Sequence, residues 1–234
     1  MRTLAIGDIH GSLRALKQAL QRAQFDPTTD KCIFLGDYLD GWSENVELIL
    51  FLISIKKLNH EHIFLMGNHD EGIAEFVLTG KTGMMVDIET KRQFIHKAAI
   101  VNAEVKKFFS ELRVFYIDEE NRAFVHGGYT SIEGVGHETH DYMYYWDRQL
   151  WYLAFSRQND EQLPELLRCH KEIYIGHTAT INFNTDKPMN ACNVWNLDTG
   201  AGWGHKVTVM DIETKEYWQS DMTKDLHPDE KCRG

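Results

Sequence analysis

The chain reads Leu4-Ala5-Ile6-Gly7-Asp8-Ile9-His10-Gly11, then Cys32-Ile33-Phe34-Leu35-Gly36-Asp37-Tyr38-Leu39-Asp40, then Ile63-Phe64-Leu65-Met66-Gly67-Asn68-His69-Asp70. Each segment is a short apolar run, a glycine, and then side chains that can bind metal. An apolar run stopped by glycine predicts a buried strand that ends in a tight turn. Between these runs Leu13, Leu16, Leu20 and Ala23 recur at helical spacing. A second helix is expected through Val46, Leu48, Ile49, Phe51, Leu52 and Ile55, with Ser43 as its N-cap. Strand, loop and helix repeated three times predict parallel strands joined by crossover helices.

The rhythm changes further along. Residues from about 80 to 112 are expected as a helical insertion, clearest over 92–112, placed either as a lid or as a buttress. Met84 and Met85 within it read as core or lid packing. Strands are expected at 114–117, 123–126, 172–175, 193–197, 206–210 and 216–219, with helices at 142–154 and 161–169 between them. The later strands are expected to build a second sheet. The whole chain, 1–234, is read as one domain, with residues 220–234 as a loosely ordered tail. The fold class is α/β: a four-layer α-β-β-α sandwich of two mixed sheets flanked by helices.

Composition bounds the function. The 234 residues carry 43% hydrophobic side chains, enough for a sizeable core, and a net charge of -10. No lysine or arginine run neutralises phosphates, which argues against nucleic acid as partner. No apolar stretch is long enough to span a bilayer. Cys32, Cys169, Cys192 and Cys232 are scattered, without a CxxC pair, and read as reduced thiols of a cytoplasmic protein.

Two later strands end in the same way, Val125-His126-Gly127-Gly128 and Ile175-Gly176-His177-Thr178. In open α/β sheets, functional side chains gather at the carboxyl ends of strands. Asp8, His10, Asp37, Asn68, His126 and His177 then form one set of oxygen and imidazole ligands, suited to Mn²⁺, with Fe or Zn²⁺ as alternatives. Six ligands exceed one tetrahedral ion, and a carboxylate shared by two ions accounts for the number.

At these positions the chain resembles the phosphoprotein phosphatase branch of the calcineurin-like metallophosphoesterases, whose motifs read GDxHG, GDxxDRG, GNHE/D, VHxG and GHT. All five occur in order across residues 7–178. The resemblance implies that Asp8, His10 and Asp37 hold a first divalent ion, and that Asp37, Asn68, His126 and His177 hold a second. It implies that His69 is the general acid, oriented by Asp40, and that the nucleophile is a metal-bridging hydroxide. Imidazole suits the acid role because it titrates near working pH. Asn68 and Arg148, the latter in Trp146-Asp147-Arg148, are expected to bind substrate phosphate.

The resemblance breaks at one place. The second motif ends Asp40-Gly41-Trp42 where the family has Asp-Arg-Gly, so a bidentate phosphate grip is missing and Arg148 carries that task alone. Trp42 reads as a packing aromatic, with a flat wall for an aromatic or sugar-like leaving group as the functional alternative. Asp198-Thr199-Gly200 resembles the family's final segment, and the following His205 is placed to face the cleft. His137 and His140 read as a solvated loop, and His60 and His62 as surface residues. The expected function is metal-dependent hydrolysis of phosphomonoesters, in proteins or in small phosphate esters. The alternatives are a dinucleoside polyphosphate hydrolase and, from a different class, a degenerate binding module. An intact His69–Asp40 pair speaks against the last, because binding alone needs no proton donor.

Overall fold

The computed structural model describes residues 2–81, 87–97 and 103–232. Its strands, in chain order, are β1 (Thr3–Ile6), β2 (Lys31–Phe34), β3 (Ile63–Phe64), β4 (Phe115–Ile117), β5 (Arg122–Val125), β6 (Glu172–Ile175), β7 (Met189–Ala191), β8 (Val194–Asn196), β9 (Thr208–Asp211) and β10 (Tyr217–Gln219). Helices are α1 (Leu13–Arg22), α2 (Asn45–Leu58), α3 (Asn68–Thr79), α4 (Ile88–His96), α5 (Ala103–Ser110), α6 (Met143–Trp146), α7 (Gln149–Ser156) and α8 (Thr223–Leu226). The expected helical insertion thus holds α4 and α5, and Met84 and Met85 lie outside the described residues.

Successive residues of a strand point to opposite faces, and here both faces are covered. Ala5, Ile33, Phe124, Tyr174 and Met210 meet in one buried cluster between the two sheets. Their neighbours Leu4, Ile6 and Phe34 turn the other way, onto α1, α2 and α5. Ala123, Val125, Ile173 and Ile175 pack on α7 in the same manner. Strands with two buried faces read as unbroken apolar runs, which is why the sequence shows no alternation. The four-layer sandwich expected from the sequence is the one observed.

The first sheet has the order β10-β9-β1-β2-β3, the second β4-β5-β6-β8-β7. β1, β2 and β3 are parallel, as are β5, β6 and β8, while β9 and β10 add antiparallel partners to the first sheet. The expectation that the later strands all build the second sheet is therefore corrected. β9 is buried along its whole length and returns to the edge of β1 to satisfy its backbone. β7, antiparallel to β8, has no counterpart among the strands expected from the sequence.

Local expectations also shift. The helix expected over 142–154 breaks at Asp147, whose backbone is extended and whose Oδ2 caps Leu150 N–H of α7. Of the helix expected at 161–169, a 3₁₀ turn at Glu165–Leu167 is found. Ser43 caps no helix: its N–H and Oγ both donate to Glu230. His60 is exposed, but His62 is buried, accepting the Cys32 N–H on Nδ1. All four cysteines are free thiols.

The segment after residue 220, expected as a loose tail, is tied down through residue 230. The His227 ring is fully buried and stacks on Trp42 at 4.6 Å, with Nε2 2.9 Å from Ser12 Oγ and Nδ1 2.9 Å from Glu230 Oε1. Thr223 is buried and donates from Oγ1 to Ala201 O. Polar composition suggested solvent, whereas the Thr223, His227 and Glu230 side chains have specific partners. His227→Ala is expected to destabilise the metal-free protein by about 3 kcal/mol, through a cavity plus two abandoned polar groups. Denaturant unfolding followed by circular dichroism checks this; a loss under about 0.5 kcal/mol, the level of an unremarkable surface change, contradicts it.

Candidate active site

Five loops converge at the carboxyl ends of β1, β2, β3, β5 and β6. Their approach is so close that glycine is required. A Cβ at Gly176 would lie 2.1 Å from Asp8 Oδ1, and one at Gly67 2.2 Å from Asp37 N. The side chains that follow turn sharply out of their strands: His10, Asp37, Asp40 and His177 hold φ of 51°, 51°, 63° and 66°. That left-handed backbone costs roughly 1–2 kcal/mol per non-glycine residue, and loop-to-loop bonds hold it. Ile9 N–H and His10 N–H both donate to Asp37 O, Gly11 N–H to Tyr38 O, and Trp42 N–H to His10 O. Asp70 ties the second loop to the third, accepting Tyr38 and Leu39 N–H on Oδ1 and Gly67 N–H on Oδ2.

Two groups of three ligand atoms result, Asp8–His10–Asp37 and Asp37–His126–His177, each within 4.8 Å, with Asp37 in both. Hydrogen bonds set the imidazoles. Nδ1 of His10 faces Leu39 O and Asp40 O at 2.9 and 2.7 Å, so it carries the hydrogen and turns the Nε2 lone pair toward Asp8 and Asp37. His126 likewise donates from Nδ1 to Leu35 O, placing Nε2 3.3 Å from Asp37 Oδ1 and 3.2 Å from Asn68 Oδ1. His177 donates from Nε2 to Trp146 O, which leaves Nδ1 as its lone-pair atom. Backbone carbonyls that fix the tautomer in this way are the usual support of metal-binding histidines.

Charge within the cluster fits cations. The ion-pair partners of Asp8 and Asp37 among the described residues are histidines. Burial, then repulsion from Asp198 and Asp37, pushes the Asp8 carboxyl well above its usual range. Burial also opposes ionisation of Asp37, but His126, His69 and His10 outweigh it and hold that carboxyl well below. Burial, then His126 and Arg148, drives His177 down to about 2, so its ring is a neutral donor. Buried carboxylates gathered with imidazoles, with no lysine or arginine paired to them among the described residues, make a donor set suited to divalent cations.

At the edge of this cluster His69 lies 3.1 Å from Asp40 Oδ2 through Nδ1, and its ring stands 5.2 Å from that of His10. The side chain is 16% exposed, enough to meet a substrate. Arg148 is exposed and anchored by Nη1 to His177 O and Thr178 Oγ1. The break before α7 places it there. All nine side chains named from the sequence thus meet at one site.

A family model for calcineurin-like phosphoesterases matches residues 1–207. The chain belongs to that family. It is accordingly a hydrolase of the metallophosphoesterase class, and the resemblance read from the five motifs is borne out. Relatives include the symmetrical bis(5′-nucleosyl)-tetraphosphatase of Pseudomonas fluorescens, 24% identical over 97% of this chain and 96% of the relative. The enzyme of that name from Coxiella burnetii is 25% identical over 94% of this chain and 93% of its own. A provisionally named diadenosine tetraphosphatase superposes with a TM-score of 0.66 at 16% identity, covering 93% of this chain and 92% of its own. A serine/threonine protein phosphatase from Saccharomyces cerevisiae gives 0.61 at 13% identity, over 94% and 80%. These two structures speak for the fold alone.

The geometry bears out the readings of Gly41, Trp42, His137 and His140 and corrects that of His205. Gly41 holds φ +157°, and a Cβ there would lie 2.7 Å from His10 O, so the family's arginine has no room. Trp42 is 1% exposed, donates from Nε1 to Ala201 O, and offers no wall to a substrate. His205 has Asp186, Lys224 and Lys206 as its charged neighbours, not the ligand cluster. His137 pairs with exposed Glu133 and His140 stacks on exposed Tyr142, as a solvated loop should. Sequence reasoning leaves two carboxylates of the site without a role. Asp70 closes the Gly67-Asn68-His69-Asp70 motif, and its place in the first turn of α3 is the signal for a structural task. Asp198, buried and pushed up to about 6 by burial, backs Asp8 from the Asp-Thr-Gly segment. No helix among the described residues is long and apolar enough to cross a membrane.

Proposed function

We propose that this phosphoesterase cleaves the phosphoanhydride of a dinucleoside polyphosphate with two divalent ions. One would be held by Asp8, His10 and Asp37, the other by Asp37, Asn68, His126 and His177. The observation that carries the two-ion reading is the presence of Asp37 in both ligand groups. The substrate class is supported by relatives that align along nearly the whole chain. Mn²⁺ is the first choice for this donor set. Bound there, such ions supply Lewis-acid chemistry, drawing charge from phosphoryl oxygens and making water a better nucleophile near neutral pH.

The chain's own residues do the rest. Arg148, fixed on His177 O, presents its remaining N–H groups to a phosphate. Asn68 turns Oδ1 toward His126 and uses its amide N–H for a phosphate oxygen. His69 donates a proton from Nε2 to the departing oxygen while Asp40 holds Nδ1–H and thereby the ring plane. The second reading, hydrolysis of phosphoserine or phosphothreonine in proteins, uses the same residues and is favoured by the motif set.

Chelation is expected to abolish hydrolysis of p-nitrophenyl phosphate, and Mn²⁺ to restore it. Absence of metal-dependent turnover on every phosphoester and anhydride tried removes the enzyme mechanism. In a panel, kcat/KM for diadenosine tetraphosphate is expected to exceed that for phosphopeptides by roughly 10-fold or more, about 1.4 kcal/mol. The opposite order favours the second reading.

A further inference from the structure

Residues 140–148 carry several aromatic side chains and end at Arg148. Trp146 stands edge-on to the candidate ligand His177, ring centroids 6.3 Å apart and planes at 87°. Its indole is partly exposed, and Nε1 donates to Glu71 Oε2 at 3.3 Å. The neighbouring Tyr145 O–H donates to Glu71 Oε1 at 3.0 Å, so α3 fixes the end of α6 twice. Two residues beyond Trp146 lies the exposed Arg148. Tyr142, which caps the start of α6, is 48% exposed and stacks on His140 at 5.5 Å and 13°.

An exposed aromatic pair, an indole and a guanidinium thus follow one another along the chain, and the last two both touch the candidate ligand His177. A molecule with phosphate at one end and a flat π-system at the other matches that order. A phosphoserine side chain has no flat face to offer. Arg148 would draw the phosphate, and the indole would receive a base by stacking, which is tolerant of base identity. We infer that Trp146 is the stacking platform for the nucleobase whose phosphate Arg148 grips. This rests on the nucleotide reading above, and it assigns the base a place.

The test is calorimetric titration of Mn²⁺-loaded protein with AMP and, separately, with inorganic phosphate. The parent is expected to bind AMP at least about 10-fold more tightly than phosphate, the size of one base–aromatic stack. Trp146→Leu should remove most of that preference, and Trp146→Phe should keep most of it. The inference is overturned if AMP and phosphate bind the parent equally, or if the preference survives Trp146→Leu. It is also overturned if both ligands weaken together, since that marks a structural role. A measurement on the parent alone guards against a misfolded variant. AMP, and not phosphate, should shift the Trp146 indole N–H resonance of the Zn²⁺-loaded protein, and an unmoved resonance overturns the inference. A Trp146-dependent AMP preference without cleavage of diadenosine tetraphosphate sinks the substrate reading and keeps the platform. Cleavage with no such dependence does the reverse.

Discussion

Asp37→Asn is expected to empty both ion sites at once and to lower turnover by roughly 10³-fold or more. The reasoning starts from geometry. Asp37 alone belongs to both ligand groups, with Oδ2 3.6 Å from His10 Nε2 and Oδ1 3.3 Å from His126 Nε2. Asparagine keeps the shape and still accepts the His69 N–H on Oδ1, so the loops should stay in place. It removes the negative charge that both ions would share. Lewis-acid stabilisation is worth several kcal/mol, and each 1.36 kcal/mol is a factor of ten. Asp8→Asn touches one group only and is the control. Metal analysis by plasma mass spectrometry should find fewer than one ion per Asp37→Asn chain and about one in Asp8→Asn. Two retained ions in Asp37→Asn would show that the carboxylate does not bridge.

His69→Asn is expected to separate chemistry from metal binding. The His69 imidazole is in neither ligand group, its Nδ1 is committed to Asp40, and its side chain reaches solvent. Metal content should therefore stay at the parent level while kcat falls by about 10²–10⁴, the usual worth of a positioned proton donor. The leaving group grades the effect. An alkoxide leaving from phosphoserine needs a proton and should show the full loss. A nucleotide phosphate leaving from an anhydride carries its own charge more easily and should show less. Equal loss of metal and turnover would make His69 a ligand or a structural residue instead.

Much of the site is legible in the amino-acid sequence. The glycine-terminated runs mark β1, β2, β3 and β6, and the His126-Gly127 step marks β5, together with the ligands at their ends, because a buried strand tip needs glycine for close approach and a polar side chain for the turn. Other features depend on partners far along the chain. The pairing of β9 with β1 leaves no periodic trace, since a strand buried on both faces looks alike in either sheet. His62, Trp42 and His227 show the same limit. A lone histidine or tryptophan in polar sequence gives no sign that a carbonyl, a hydroxyl or another ring awaits it. Gly41 is visible as a missing arginine, but the His10 carbonyl that excludes a side chain there is not.

The latch of His227 onto Ser12 joins positions 215 residues apart, and β9 closes over β1 across nearly the same span. Asp8 and His10 follow directly on β1, yet contacts that complete their surroundings come from chain far beyond them. Contacts this distant in sequence form slowly, because chain must be gathered before any of them rewards the search. The loop that carries Asp8 and His10 therefore gains its finished setting only once distant chain has docked, and a cation held there is expected to bind late in folding.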